Sequence, residues 1–240
     1  MTIDYRNIYS ERFLKGSDGA RSLQFGALKS GDALSAVAYA HGIDYSKIEQ
    51  QWPDVARNNR YEGPNVRVAD QLDFVKKYAI RKPNRVLEIG SGRGEVTGFL
   101  CELGYSVTSI EPSPNAAEIH ARTHRALFER EYEYELLNAP INELDIDYSQ
   151  YDTILMVESL EHILAEHFDP EWQKITQQFC GHFVVTNWHA YHPIKVGQYA
   201  SPEIHCRAVN DALYDQFAQS GKTLHRHKSH LCIAVGAHER

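Results

Sequence analysis

The stretch that most constrains what this chain can fold into is Arg85-Val86-Leu87-Glu88-Ile89-Gly90-Ser91-Gly92-Arg93-Gly94-Glu95. Its first half reads as a short buried strand, its middle as a glycine turn, and the residues to about Leu103 as a helix. A strand feeding a glycine turn that opens a helix is a nucleotide-binding device. Glycine permits positive φ, and it lets a ligand approach the backbone with no Cβ in the way. Spacing then selects the ligand. A dinucleotide fingerprint has the form G-x-G-x-x-G, its third glycine packing helix on sheet. Here the third glycine arrives one residue early, as Gly90-x-Gly92-x-Gly94, and Glu88 stands two positions before the first.

Downstream, strand and helix patterns alternate, the signature of an α/β fold with a parallel sheet. Strands are expected at 85–90, 106–110, about 132–137, 153–157 and 182–186, with helices at 114–128, 158–167, 171–179 and 211–220. A C-terminal hairpin, 222–226 with 231–235, adds an antiparallel pair. Residues 1–80 lack strand alternation and read as a helical N-terminal cap. Ala33–Ala40 has helical spacing, Asp44–Gln51 begins a second helix, and Asn65–Tyr78 leads into the core. The first two could be a DNA-reading helix-turn-helix. Lys47 alone against Asp44 and Glu49 makes an αα-hairpin over the site the better reading. Pro83 breaks the helix before the first strand, so the boundary falls at Arg81–Asn84 and the second domain covers 81–240.

Composition narrows the partners. A formal charge of −7 advertises no polyanion, so a small-molecule acceptor is expected rather than nucleic acid. No apolar run approaches the ~18 residues of a bilayer span, and the N-terminus lacks a signal-peptide core. Cys101, Cys180, Cys206 and Cys232 form no C-x-x-C, which fits reduced thiols and a cytoplasmic protein. Oligomeric state is not encoded in any feature of this kind.

Glu111 ends the second strand, about 20 residues past the first glycine, where a carboxylate can accept both hydroxyls of a ribose. That geometry serves a nicotinamide dinucleotide as well as an adenosyl sulfonium. The G-x-G-x-G turn preceded by Glu88 resembles motif I of the class I S-adenosylmethionine (SAM) methyltransferases. The resemblance covers about residues 84–190 and implies a Rossmann-like methyltransferase sheet. It implies that Gly90, Ser91, Gly92 and Gly94 meet the methionine and ribose of SAM through their backbone, and that Glu88 helps fix the ammonium. It further implies that Pro112 packs on adenine, that Ala139, Pro140 and Ile141 line adenine's other face, and that Val157 lies beside the methionine. The segment Asn138–Leu144 departs from the family's usual Gly-Asp-Ala type. NAD, the competing cofactor, would require a later third glycine and a second nucleotide half.

The fourth strand runs into Val157-Glu158-Ser159-Leu160-Glu161-His162-Ile163. Ligand crevices in open α/β sheets lie at strand C-termini. On the expected helix, positions i, i+3 and i+4 group Glu158, Glu161 and His162 on one face, a donor set suited to a divalent ion such as Mg, Mn or Fe. Glu-x-x-Glu-His resembles a segment of the ubiquinone-biosynthesis O-methyltransferases and of the small-RNA 3′-terminal 2′-O-methyltransferases. In the latter a further histidine completes a metal site. His205 most resembles it in position, and His189 and His192 in Trp188-His189-Ala190-Tyr191-His192 are the other candidates. Without a metal, His162, backed by Glu161 and joined by His189, would serve as base or orient the acceptor. A hydroxyl needs such help to lose its proton, whereas an amine needs less. The Asn/Asp-Pro-Pro-aromatic signature of base amino-methylases is absent after strand four. The His225–His230 tract, placed in a hairpin turn, is expected to be a solvated loop rather than a metal site.

The expectation is thus a SAM-dependent methyltransferase moving a methyl to a hydroxyl of a small metabolite or sugar-like acceptor. Two alternatives remain: RNA 3′-terminal 2′-O-methylation, and a non-catalytic SAM- or nucleotide-binding subunit.

Overall fold

A computed structural model of the chain describes residues 74–75, 77, 84–92, 94–113, 116–128, 130–187, 199–200, 203–204, 207–227 and 230–236. The expected hairpin at 33–51 lies outside these residues, as do His189, His192 and His205. Of the expected helix 65–78, Phe74, Val75 and Lys77 are helical, and the first two are buried in the core.

Seven strands form one sheet: β1 (Arg85–Ile89), β2 (Ser106–Ile110), β3 (Glu135–Leu137), β4 (Thr153–Val157), β5 (Gly181–Thr186), β8 (Gly221–His227) and β9 (His230–Val235). Their order is β3-β2-β1-β4-β5-β9-β8. The first five run parallel, and β9 pairs antiparallel with β5 and with β8. A separate two-stranded pair, β6 (Tyr199–Ala200) with β7 (Glu203–Ile204), follows β5. The strand order reverses between β1 and β4, so their C-terminal ends open the crevice in which open α/β sheets bind ligands.

Period-2 alternation along the buried strands sends side chains to both faces of the sheet. On one face, Leu87, Ile89, Ile154, Met156, Phe183, Val185, Leu231 and Ile233 share a core with helices α3 (Ala165–Gln178) and α4 (Asp211–Ala218). On the other, Val86, Val107, Leu155, Val184 and Cys232 pack under α1 (Glu95–Glu102) and beside Phe74 and Val75. Helix α2 (Ala116–Phe128) packs against α1. Burial on both sides is what parallel strands require, and it makes the sheet a rigid platform for the turns at its end.

Three elements differ from expectation. Of the helix expected over 158–167, residues 158–164 form a loop with one 3-10 turn at Leu160–His162, and 165–167 are helical as the start of α3; Glu158 takes a left-handed backbone, φ 51°, that a right-handed helix does not admit. The gap between the helices expected at 158–167 and 171–179 is absent: α3 runs from Ala165 through Pro170. Burial of Phe168, Trp172 and Ile175 against the sheet outweighs the backbone hydrogen bond that proline removes. The His225–His230 tract is also less solvated than its composition suggests. His230 is buried, and both His225 and His230 pack on Phe74, at ring-centroid distances of 5.0 and 4.8 Å.

Candidate active site

The glycine turn caps the C-terminal end of β1. Gly90, Gly92 and Gly94 all have positive φ, at 79°, 57° and 80°. Gly90 and Ser91 donate their N–H groups to Ile110 O at the end of β2, at 2.9 and 3.1 Å, which pins the turn across the neighbouring strand. At Gly90 a Cβ would lie 2.5 Å from Ser159 Cβ, so the turn after β1 and the turn after β4 touch across the crevice only because this position is glycine. Ser159 Oγ holds the contact by donating to Ile89 O at 2.7 Å.

Of the cofactor-site residues expected after β2, Glu111 is tied directly to the same turn. Glu111 is buried, and its two carboxylate oxygens accept from the N–H of Gly92 at 2.8 Å and of Ser113 at 3.0 Å. Pro112 lies between Glu111 and Ser113, half-buried. Asn138 stitches the end of β3 to this loop, its Nδ2 donating to Glu111 O at 2.7 Å and Ser113 O at 2.6 Å. Ala139 and Pro140 follow, and Ile141 is buried in the core. Val157 is half-buried at the end of β4. Asn138, which no sequence motif singles out, is thus the tie between the two loops expected to hold adenine.

Glu88, two residues before the turn, is enclosed by the fold. It is 1% exposed, and Thr97 of α1 and Ser109 of β2 both donate to its Oε2, at 2.5 and 3.2 Å. Burial pushes its carboxyl up to about 7, against the opposing effect of those two hydrogen bonds.

The residues after β4 form the second half of the site. Glu161 is buried, its Oε2 accepting from Asn187 Nδ2 at the end of β5 at 2.7 Å, while its Oε1 lies 3.8 Å from His162 Nε2. The left-handed Glu158 removes the helical face that would have grouped it with Glu161 and His162. Among the described residues, no three His, Cys, Asp or Glu side chains lie together as a metal site. What stands there is a carboxylate–imidazole pair, not the three-donor face expected for a divalent ion. Tyr214 of α4 is fully buried. Burial raises its phenol above the ordinary 10, and the charges of Glu161 and Glu158 raise it further, so it stays protonated as a donor.

The residues present suit an adenosyl cofactor. The turn has three left-handed glycines, a contact at Gly90 that any Cβ would fill, and a carboxylate that closes on Gly92 from β2. These features define an α/β fold with a nucleotide-type site at its switch point. The methyltransferase-domain family model matches residues 40–225. The chain belongs to that family, as a class I SAM-dependent methyltransferase.

Solved structures with the same fold include the PH0226 protein of Pyrococcus horikoshii OT3, 14% identical with a TM-score of 0.52, covering 72% of this chain and 91% of that one. The N-methyltransferase NodS of Bradyrhizobium japonicum WM9, solved with S-adenosyl-L-homocysteine (SAH), is 14% identical with a TM-score of 0.52, covering 74% and 88%. TehB of Haemophilus influenzae is 14% identical with a TM-score of 0.50, covering 69% and 61%. No curated protein matches the sequence. Among the described residues, no helix is long and apolar enough to cross a membrane.

Proposed function

We propose that this enzyme transfers the methyl of SAM to a hydroxyl of a small metabolite or sugar-like acceptor, with His162 as the base. The observation that carries the reading is the Glu161–His162 pair at the C-terminal end of β4, 3.8 Å apart, beside the crevice that the glycine turn closes. Bound SAM supplies an electrophilic methyl carbon on its sulfonium. The protein's part is to hold the acceptor in line near ~3–3.5 Å and to take its proton. A hydroxyl is too weak an acid to ionise unaided at neutral pH. An imidazole beside a carboxylate can accept that proton, the carboxylate stabilising the imidazolium that results. Asn187 holds Glu161 from β5, so the pair is fixed by two strands. In this reading Glu111 receives the ribose hydroxyls, Gly90 to Gly94 meet the amino-acid tail and ribose, and Pro112 and Ala139 to Ile141 border the adenine. His189 would join the acceptor side.

The test is a panel of small hydroxylated compounds and their amine counterparts, incubated with methyl-labelled SAM, with the product's methyl position read by NMR. Methylation on oxygen is expected, and His162→Ala should lower kcat by ~10²–10⁴ while SAH affinity stays within about twofold. Methylation on nitrogen alone, with His162→Ala near wild-type turnover, would overturn it. The similarity to NodS, an N-methyltransferase, favours a nitrogen acceptor as the second reading.

A further inference from the structure

Two histidines of α2 stand outside the Glu161–His162 pair and the Glu111 loop, yet both reach the glycine turn. His120 and His124 are one helical turn apart on one face of α2. His120 Nε2 lies 3.2 Å from Gly92 O and 3.3 Å from Ser91 Oγ, and its Nδ1 lies 2.7 Å from the Tyr134 hydroxyl. His124 Nε2 lies 2.8 Å from Gly94 O. A carbonyl oxygen only accepts, so Nε2 must carry the proton in both rings. In His120, Nδ1 is then the acceptor of the Tyr134 O–H. Both rings are buried, and burial opposes their protonation, bringing His120 down to about 4 and lowering His124. Neutral Nε2–H tautomers are therefore the state that satisfies these neighbours at physiological pH.

Gly92 carries the consequence. Its N–H donates to Glu111 and its C=O accepts from His120, so one residue ties the β2 carboxylate to α2 through the turn. Gly94 is tied likewise: its carbonyl takes the first hydrogen bond of α1, from Gly98 N–H at 2.9 Å, together with the His124 bond. The His120 ring also occupies the space beside Gly94, where a Cβ would lie 2.6 Å from it. Without these two donors the Gly92 carbonyl loses its side-chain partner and the Gly94 carbonyl keeps only the Gly98 bond, so the peptide planes they orient, each shared with the following residue's N–H, are held less firmly.

We propose that His120 and His124 are positioning residues for the cofactor, their Nε2–H groups holding the glycine turn in the shape that receives it. The proposal rests on the SAM-binding reading of that turn. Neither ring touches the reacting atoms, so their loss acts on cofactor affinity and leaves the chemical step intact. Tyr134 supports them by fixing the tautomer of His120.

The test combines titration calorimetry with SAH, kinetics at saturating SAM, and imidazole nitrogen NMR of the protein without ligand. His120→Phe keeps a ring of similar size and loses both nitrogens, whereas His120→Gln keeps an N–H near the place of Nε2. SAH binding about tenfold weaker in His120→Phe, with His120→Gln within about threefold of wild type and kcat at saturation unchanged, is the expected pattern. Wild-type NMR should show His120 and His124 as neutral Nε2–H tautomers at pH 7, with Tyr134→Phe relaxing the preference at His120. A His120→Phe variant that melts earlier but binds SAH like wild type would make the histidine merely structural and overturn the proposal. So would an Nδ1–H tautomer at His120, a readout that survives even if the Phe variant does not fold. Wild-type protein that fails to bind SAH would remove the cofactor reading itself, and the proposal with it.

Discussion

Glu88 offers the sharpest quantitative test of the site's construction, through Glu88→Gln. The carboxyl is buried between β1 and α1, and its ionisation is pushed from the ordinary 4.5 up to about 7. An acid whose proton is held more tightly in the folded state stabilises the fold fully below pH 4.5 and loses that contribution as pH rises through about 7. At ~1.4 kcal/mol for each pH unit, the gap is worth about 3 kcal/mol, most of it lost between about pH 5 and 8. Glutamine keeps an acceptor for the Thr97 and Ser109 hydroxyls and cannot ionise. Urea unfolding of both proteins at pH 5 and pH 8 isolates the effect as a double difference, since the other titrating groups are common to the two. The stability of Glu88→Gln relative to wild type should rise by about 2–3 kcal/mol from pH 5 to pH 8. A pH-independent difference, or one that turns in favour of glutamate at pH 8, would show that the carboxylate is ionised and compensated in the fold, and the reasoning would fail.

Gly94→Ala should cost about 1–3 kcal/mol of stability and weaken SAH binding at least tenfold, because the residue sits at φ 80° with the His120 ring where the methyl would go; thermal melting and calorimetry read both. Glu158→Gly should raise unfolding stability by about 0.5–1 kcal/mol by relieving the left-handed strain at φ 51°, and a loss of more than 1 kcal/mol in urea unfolding would mean that the side chain's contacts outweigh it. Phe183→Ala should cost about 3–5 kcal/mol, since this ring is fully buried in β5 against Trp172 and Phe217; a smaller loss would mean that the face under α3 and α4 can collapse into the cavity.

The platform was legible because its signals are local. Buried strand runs, the spacing Gly90-x-Gly92-x-Gly94 and an acid closing β2 are each set by neighbours in sequence, and the order of strands and helices followed from them. The loop after β4 was not, because its shape is decided across the sheet. Ser159 bonds to Ile89 O, Glu158 turns left-handed, and Asn187 of the next strand draws Glu161 inward. None of these partners is near in sequence, so helical spacing at Glu158, Glu161 and His162 suggested a face that does not form. The gap between the helices expected at 158–167 and 171–179 closes for a related reason, since burial of Phe168, Trp172 and Ile175 keeps α3 continuous through Pro170. His120 and His124 carried a trace of their role in i,i+4 spacing, but nothing in the sequence says that the facing surface is the glycine turn.

The central claim is that the three glycines from Gly90 receive the adenosyl sulfonium and its product. Titration calorimetry of the purified wild-type protein with SAH, and separately with NAD, tests it most directly. The expected result is saturable one-site binding of SAH, weakened at least tenfold in Gly94→Ala, and no measurable heat with NAD. Saturable binding of NAD with none of SAH would contradict it.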